Sequence, residues 1–128
     1  MKVERFEDLE IWKEARDLCR FIRELTKKTH FSKDFKLSSQ ITSSSGSIMD
    51  NIAEGFDRDG NKEFVQFLSI AKGSNAETRS QAYRAFDSGF INEAQLNEIL
   101  EKTESLRLRI KSLMIYLKNS DRKGNKYS

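Results

Sequence analysis

Residues 92–119 read NEAQLNEILEKTESLRLRIKSLMIYLKN, and this stretch decides the fold class. Leu96, Thr103, Ile110 and Leu117 recur every seven residues, and Ile99, Leu106 and Leu113 fill the alternate position of the same heptad. Steps of three and four bring all of them to one side of an α-helix. Asn92 with Gln95 has the capping-box pattern, in which each side chain serves the other's backbone N–H, so a helix is expected over 92–119. One apolar stripe of this length needs several apolar neighbours to cover it.

The preceding sequence supplies them. Upstream of Ser88–Gly89, a pair suited to a helix C-terminus, the spacing of Phe64, Phe67, Leu68, Ala71, Asn75, Thr78, Ala82, Ala85 and Phe86 predicts a helix over 61–88. Leu37, Ile41, Ser45, Ile48 and Ile52 share a face of another over 36–57, closed by Gly55 and the Asp57–Asn61 cluster. Ile11, Ala15, Leu18, Ile22 and Leu25 mark a first helix over 8–28, with Asp8 as its N-cap and Thr29–Lys33 as the break after it. Four amphipathic helices on short loops are antiparallel neighbours, so the expected fold is all-α: an antiparallel up-down four-helix bundle. It should occupy residues 1–120, with 121–128 as a basic C-terminal tail. Leu18, Ile22, Ile48, Ile52, Phe67, Ala71, Leu106 and Ile110 are the expected core.

Composition agrees. Of the 128 residues 37% are apolar and 34% charged, and there is no proline, which fits long helices and short connections. Charges run through the first twenty residues, so no signal peptide is expected, and a cytoplasmic protein is. A lone Cys19 cannot close an internal disulfide, and one histidine, His30, gives no ordinary zinc site. Carboxylate-bridged di-iron bundles use Glu-x-x-His pairs, and Lys27 stands three before His30. No phosphate-binding loop and no nucleophile–base pair stand at a recognisable spacing. The expectation is a protein with no catalytic residues, no cofactor and no metal.

The net charge of +3 is uneven: residues 107–128 carry +6 and residues 1–106 carry −3. Within the first helix Lys13, Arg16, Arg20, Arg23 and Lys27 recur at steps of three and four, forming a basic line on the side away from the core. Lines of this kind bind phosphate backbones; most charged helix faces are merely solvated, and Asp17 and Glu24 sit on the next edge. Arg107, Arg109, Lys111, Arg122, Lys123 and Lys126 complete the candidate nucleic-acid contacts. Leu108 and Ile115 stack nearly opposite the core stripe of the last helix, and a helix with two apolar faces has two neighbours; they are the candidate subunit interface. Gly46 and Gly73 lie inside predicted helices, where glycine costs about 1 kcal/mol relative to alanine, and close approach of another helix would offset it.

The run Asn51-Ile52-Ala53-Glu54-Gly55, followed by Phe67-Leu68, Ile70-Ala71 and Gly73-Ser74, resembles the 23S rRNA intervening-sequence protein family. Phe6-Glu7-Asp8-Leu9, Trp12, Gln40-Ile41, Ser47-Ile48, Glu63-Phe64, Glu77-Thr78 and Gln81 extend the likeness through most of the chain. The resemblance implies a small four-helix bundle assembled as a ring-shaped homopentamer, with no established enzymatic activity. The family is also similar to the accessory variability determinant of diversity-generating retroelements, a pentameric barrel that binds nucleic acid and a reverse transcriptase. Two departures stand out: Thr42-Ser43 replace a basic pair common after Gln-Ile, and Met49 replaces a proline common after Ser-Ile. The first weakens the case for nucleic-acid binding through the second helix. Asn51 and Glu54 share a helix edge and read as structural ties. Two functions remain: an accessory ring that contacts RNA or DNA, alone or beside a nucleic-acid enzyme, and a scaffold or adaptor ring for a protein partner.

Overall fold

The computed structural model describes residues 3–120. Four long helices carry the fold: α1 Glu10–Thr26, α3 Phe35–Phe56, α4 Asn61–Asp87 and α5 Glu93–Ser120, with a short α2 Thr29–Lys33 after the first. No strand occurs among the described residues. Around the core α1 packs on α3, α3 on α4, α4 on α5, and α5 back on α1. Ser44 meets Gln81 and Thr78, and Ser47 meets Ser74, which fixes the register of α3 on α4.

The helix ends show which local signals acted. Asn92 and Gln95 form the reciprocal cap, the Gln95 N–H donating to Asn92 Oδ1 at 2.8 Å and the Asn92 N–H to Gln95 Oε1 at 2.9 Å. Gly89 has φ +78°, the left-handed conformation that closes a helix cheaply only in glycine. Asp34 caps α3 by accepting from the Leu37 N–H at 3.0 Å. The expected cap at Asp8 is not formed: Asp8 ends a 3-10 turn over Phe6–Asp8, and Leu9 precedes α1 without a side-chain cap. The break at Thr29–Lys33 is itself helical, because Phe31 turns inward and stacks on Phe90 at 5.2 Å, plugging one end of the bundle.

The serine-rich α3 is helical because its hydroxyls bond back to its own carbonyls, Ser44 to Ile41 O at 3.3 Å and Ser45 to Thr42 O at 3.2 Å. Both serines are thereby buried without a loss of hydrogen bonding. Leu18, Ile22, Ile48, Ile52, Ala71, Leu106 and Ile110 are buried as expected. Phe67 is only half-buried, since it lies across Gly55 with its far side toward the Arg58 guanidinium, 5.0 Å from the ring centroid. Phe86 is exposed, and Phe64 instead fills the corner between α3 and α4, edge-on to Phe56.

The three glycines inside the described helices divide sharply. A Cβ on Gly55 would stand 2.5 Å from Phe67 Cβ and 2.9 Å from Phe64 Cδ1, so this glycine is required where α4 crosses the end of α3. It lies within the last turn of α3 and does not terminate it. A Cβ on Gly46 or Gly73 would meet nothing within 4 Å. The close helix approach expected at those two glycines is therefore absent from the subunit.

Candidate nucleic-acid interface

The inward residues of α1, Ile11, Ala15, Leu18, Ile22 and Leu25, are all buried. Their spacing fixes the rotation of the helix and carries Lys13, Arg16, Arg20, Arg23 and Lys27 to its open side, where all five are exposed. Lys13 pairs with Glu10 at 3.7 Å and Lys27 with Glu24 at 3.4 Å, both in exposed, weak geometry. Arg16 lies 5.8 Å from the Trp12 ring centroid. Arg16, Arg20 and Arg23 form no ion pair among the described residues.

The acidic edge beside this line turns toward α5. Asp17 accepts from Lys102 Nζ at 2.6 Å, and Glu14 accepts from Arg109 Nε at 2.8 Å and from the Ser105 hydroxyl at 2.7 Å. Lys102 also reaches Glu98 at 3.4 Å and lies 5.8 Å from the Phe21 ring centroid. The Asp17 carboxylate holds the Lys102 ammonium above the usual lysine range, against an opposing effect of burial. Asp17 and Glu14 are therefore met by cations of the neighbouring helix, whereas Glu24 is met by Lys27 of the basic line itself. A groove of about 550 Å³ along this edge brings Arg20, Arg23, Lys102 and Phe21 together with the carboxylates Asp17, Glu24 and Glu98.

Arg107, Arg109 and Lys111, on α5, do not join the line. Arg107 makes a two-pronged pair with Glu104, at 3.0 Å and 2.8 Å, which draws the Glu104 carboxyl below the usual carboxylate range and raises the guanidinium. Arg109 is committed to Glu14, and Lys111 is exposed on α5. Arg122, Lys123 and Lys126 lie outside the described residues.

The residues of the Asn51–Gly55 run act as ties and spacers. Asn51 Nδ2 donates to Ser47 O at 2.8 Å and to Ser47 Oγ at 3.0 Å, and Ser74 donates to the same Oγ at 3.0 Å, linking α4 to α3. Glu54 pairs with Arg58 at 3.0 Å, Ile52 is buried, and Ala53 is half-buried. Cys19 is half-buried and His30 exposed. Leu108 and Ile115 stand outward at 49% and 53% exposure.

Sequence reasoning missed a polar layer inside the bundle. The Ser44 hydroxyl lies 2.6 Å from Gln81 Oε1 and 2.8 Å from Thr78 Oγ1. Arg79 Nη1 donates to Leu100 O and to Thr103 Oγ1, each at 2.9 Å, and Asn75 Nδ2 donates to Thr103 O at 2.8 Å. Polar residues at core positions of the heptad, Ser45, Asn75, Thr78 and Thr103, were the available signal.

Among the described residues no helix is long and apolar enough to cross a membrane. No cluster of three or more His, Cys, Asp or Glu that could hold a metal ion occurs among them either. No curated protein matches the chain. Residues 7–112, which span α1 to α4 and most of α5, match the family described as 23S rRNA-intervening sequence protein, and the chain belongs to that family.

Proposed function

We propose that this protein is a non-enzymatic oligomeric accessory factor that binds the phosphate backbone of RNA or DNA along the open face of α1. The observation that supports it is the state of Arg16, Arg20 and Arg23: exposed, without a carboxylate partner among the described residues, beside Asp17 and Glu14, which are held by α5. Guanidinium groups in a row one helical turn apart meet successive phosphates as forked donors, while the base edges remain unread. Binding is accordingly sequence-tolerant and falls steeply with salt.

The four long helices run antiparallel, up and down, and the subunits close into a ring-shaped homopentamer, the state that the family resemblance implies. A ring repeats the α1 line on every copy, so contacts that are weak singly add through effective concentration. The place of action is the cytoplasm, where a lone Cys19 stays reduced.

Fluorescence anisotropy with labelled single-stranded RNA and with duplex DNA at about 50 mM salt tests the reading where the electrostatic attraction is strong. The expected result is saturable binding of at least one of them, with little dependence on sequence. Absence of binding to both removes the nucleic-acid reading and leaves the scaffold for an acidic protein partner in its place.

A further inference from the structure

The outward spine of α4 is made of small residues. Ser69, Gly73, Ala76 and Ser80 follow one another at steps of four, three and four, and all four are exposed. A solvent face is ordinarily built of Lys, Glu and Arg, and glycine is among the poorest helix formers. Nothing within the subunit requires Gly73, since a Cβ there would meet no atom within 4 Å. Two exposed apolar side chains, Ile70 and Tyr83, flank the spine.

An independent observation lies in the same place. Ser69, Gly73 and Ala76 line a groove of about 350 Å³ between α4 and α5, together with Asn75 and Arg79. Asn75 is 2% exposed; its Nδ2 is used on Thr103 O, and its Oδ1 is buried with no hydrogen-bond partner. Buried acceptors are ordinarily satisfied, and this one, on a residue that borders the groove, has no partner among the described residues.

We infer that the groove receives α5 of a second copy of this chain, with Leu108 and Ile115 of the partner subunit seated over Ala76 and Ser69. This rests on the assembly reading above and names its contact. Leu108 and Ile115 are seven residues apart, as are Ala76 and Ser69, so both knobs seat together when the two helices run in opposite directions. In that direction the charges match. Glu101 and Glu104 of the partner subunit fall beside Arg84 and Arg79, Arg107 of the partner subunit falls on Glu77, and Lys118 of the partner subunit falls toward Glu63. In the reversed direction Glu101 of the partner subunit falls on Lys62, but Lys111 of the partner subunit falls on Lys72 and Lys118 of the partner subunit on Arg79, so two like-charge contacts face one matched pair. Knob and groove are different surfaces of one chain, so the contact is head-to-tail, the kind that closes a ring when the rotation permits.

The test is sedimentation velocity at micromolar concentration on the wild type, Gly73→Leu, Ala76→Leu and Glu101→Lys, each checked for helix content and melting. It is joined by cysteine cross-linking of Ala76→Cys with Leu108→Cys in a Cys19→Ser background. The expected result is an oligomeric wild type, folded monomers for Gly73→Leu and Ala76→Leu, and a ladder of cross-linked species only when both cysteines are present. Glu101→Lys should weaken assembly at least tenfold, and Arg84→Glu added to it should restore most of that loss. An oligomer untouched by Gly73→Leu and Ala76→Leu, with no ladder, overturns the groove assignment while the assembly reading stands. A monomeric wild type overturns both.

Discussion

The seam between α3 and α4 and the seam between α1 and α5 are built from opposite materials. The first is buried and tight: Ser44, Thr78 and Gln81 share hydrogen bonds out of solvent, and Gly55 lets Phe64 and Phe67 press on the α3 backbone. The second is held at its surface by Lys102 on Asp17, Arg109 on Glu14 and Ser105 on Glu14. Salt barely reaches a buried hydrogen bond but screens an exposed ion pair. One side of the bundle thus fixes the shape, and the other displays charge. The cations of α5 hold Asp17 and Glu14 and leave the arginines of α1 open, so the second seam serves α1 more as a charge sorter than as a clamp.

The comparison breaks most readily at Gly55. Gly55→Ala should destabilise the protein by about 2 kcal/mol, overpacking against Phe64 and Phe67 outweighing the better helix propensity of alanine. Gly73→Ala, judged on the folded subunit alone, should raise stability by up to about 1 kcal/mol, because its Cβ enters open space. Urea unfolding of the two variants should therefore move in opposite directions, and a shared direction would remove the distinction drawn between the two glycines.

Ser44→Ala should cost about 1 to 2 kcal/mol, since it leaves Gln81 Oε1 buried without its donor. The loss should be the same in dilute buffer and in 0.5 M salt. Lys102→Met, across the other seam, should cost less than about 1 kcal/mol, and high salt should erase the difference from wild type. The comparison sharpens further with pH. The folded state holds Lys102 above its ordinary pKa, so its contribution is complete below the unfolded lysine pKa and fades as pH rises through the higher folded value. The gap in melting temperature between wild type and Lys102→Met should stay constant from pH 7 to 9 and narrow in strong alkali.

Much of this architecture was legible because heptads, caps and glycine punctuation belong to single helices. The ends of α4 and α5 fell within one residue of expectation, and the Asn92–Gln95 cap and Gly89 formed as read. What escaped depends on how helices are rotated and staggered against one another. Gly55 looked like a terminator and is a crossing point; Phe67 looked like core and lies across that crossing. Arg109 looked free and is held by Glu14, ninety-five positions away in sequence. The basic line of α1 was legible in full, since its positions follow from the rotation of one helix, whereas the freedom of Arg16, Arg20 and Arg23 from carboxylate partners could be seen only once α5 was in place.

The most direct measurement of that freedom is the slope of log K against log salt concentration for a single-stranded RNA, taken for wild type and for the combined Arg16→Gln, Arg20→Gln and Arg23→Gln variant. Three lost phosphate contacts should flatten the slope by about 2, with weaker binding at every salt concentration and an unchanged melting temperature. A variant that binds as tightly as wild type, on the same slope, would contradict the claim that α1 carries the contact.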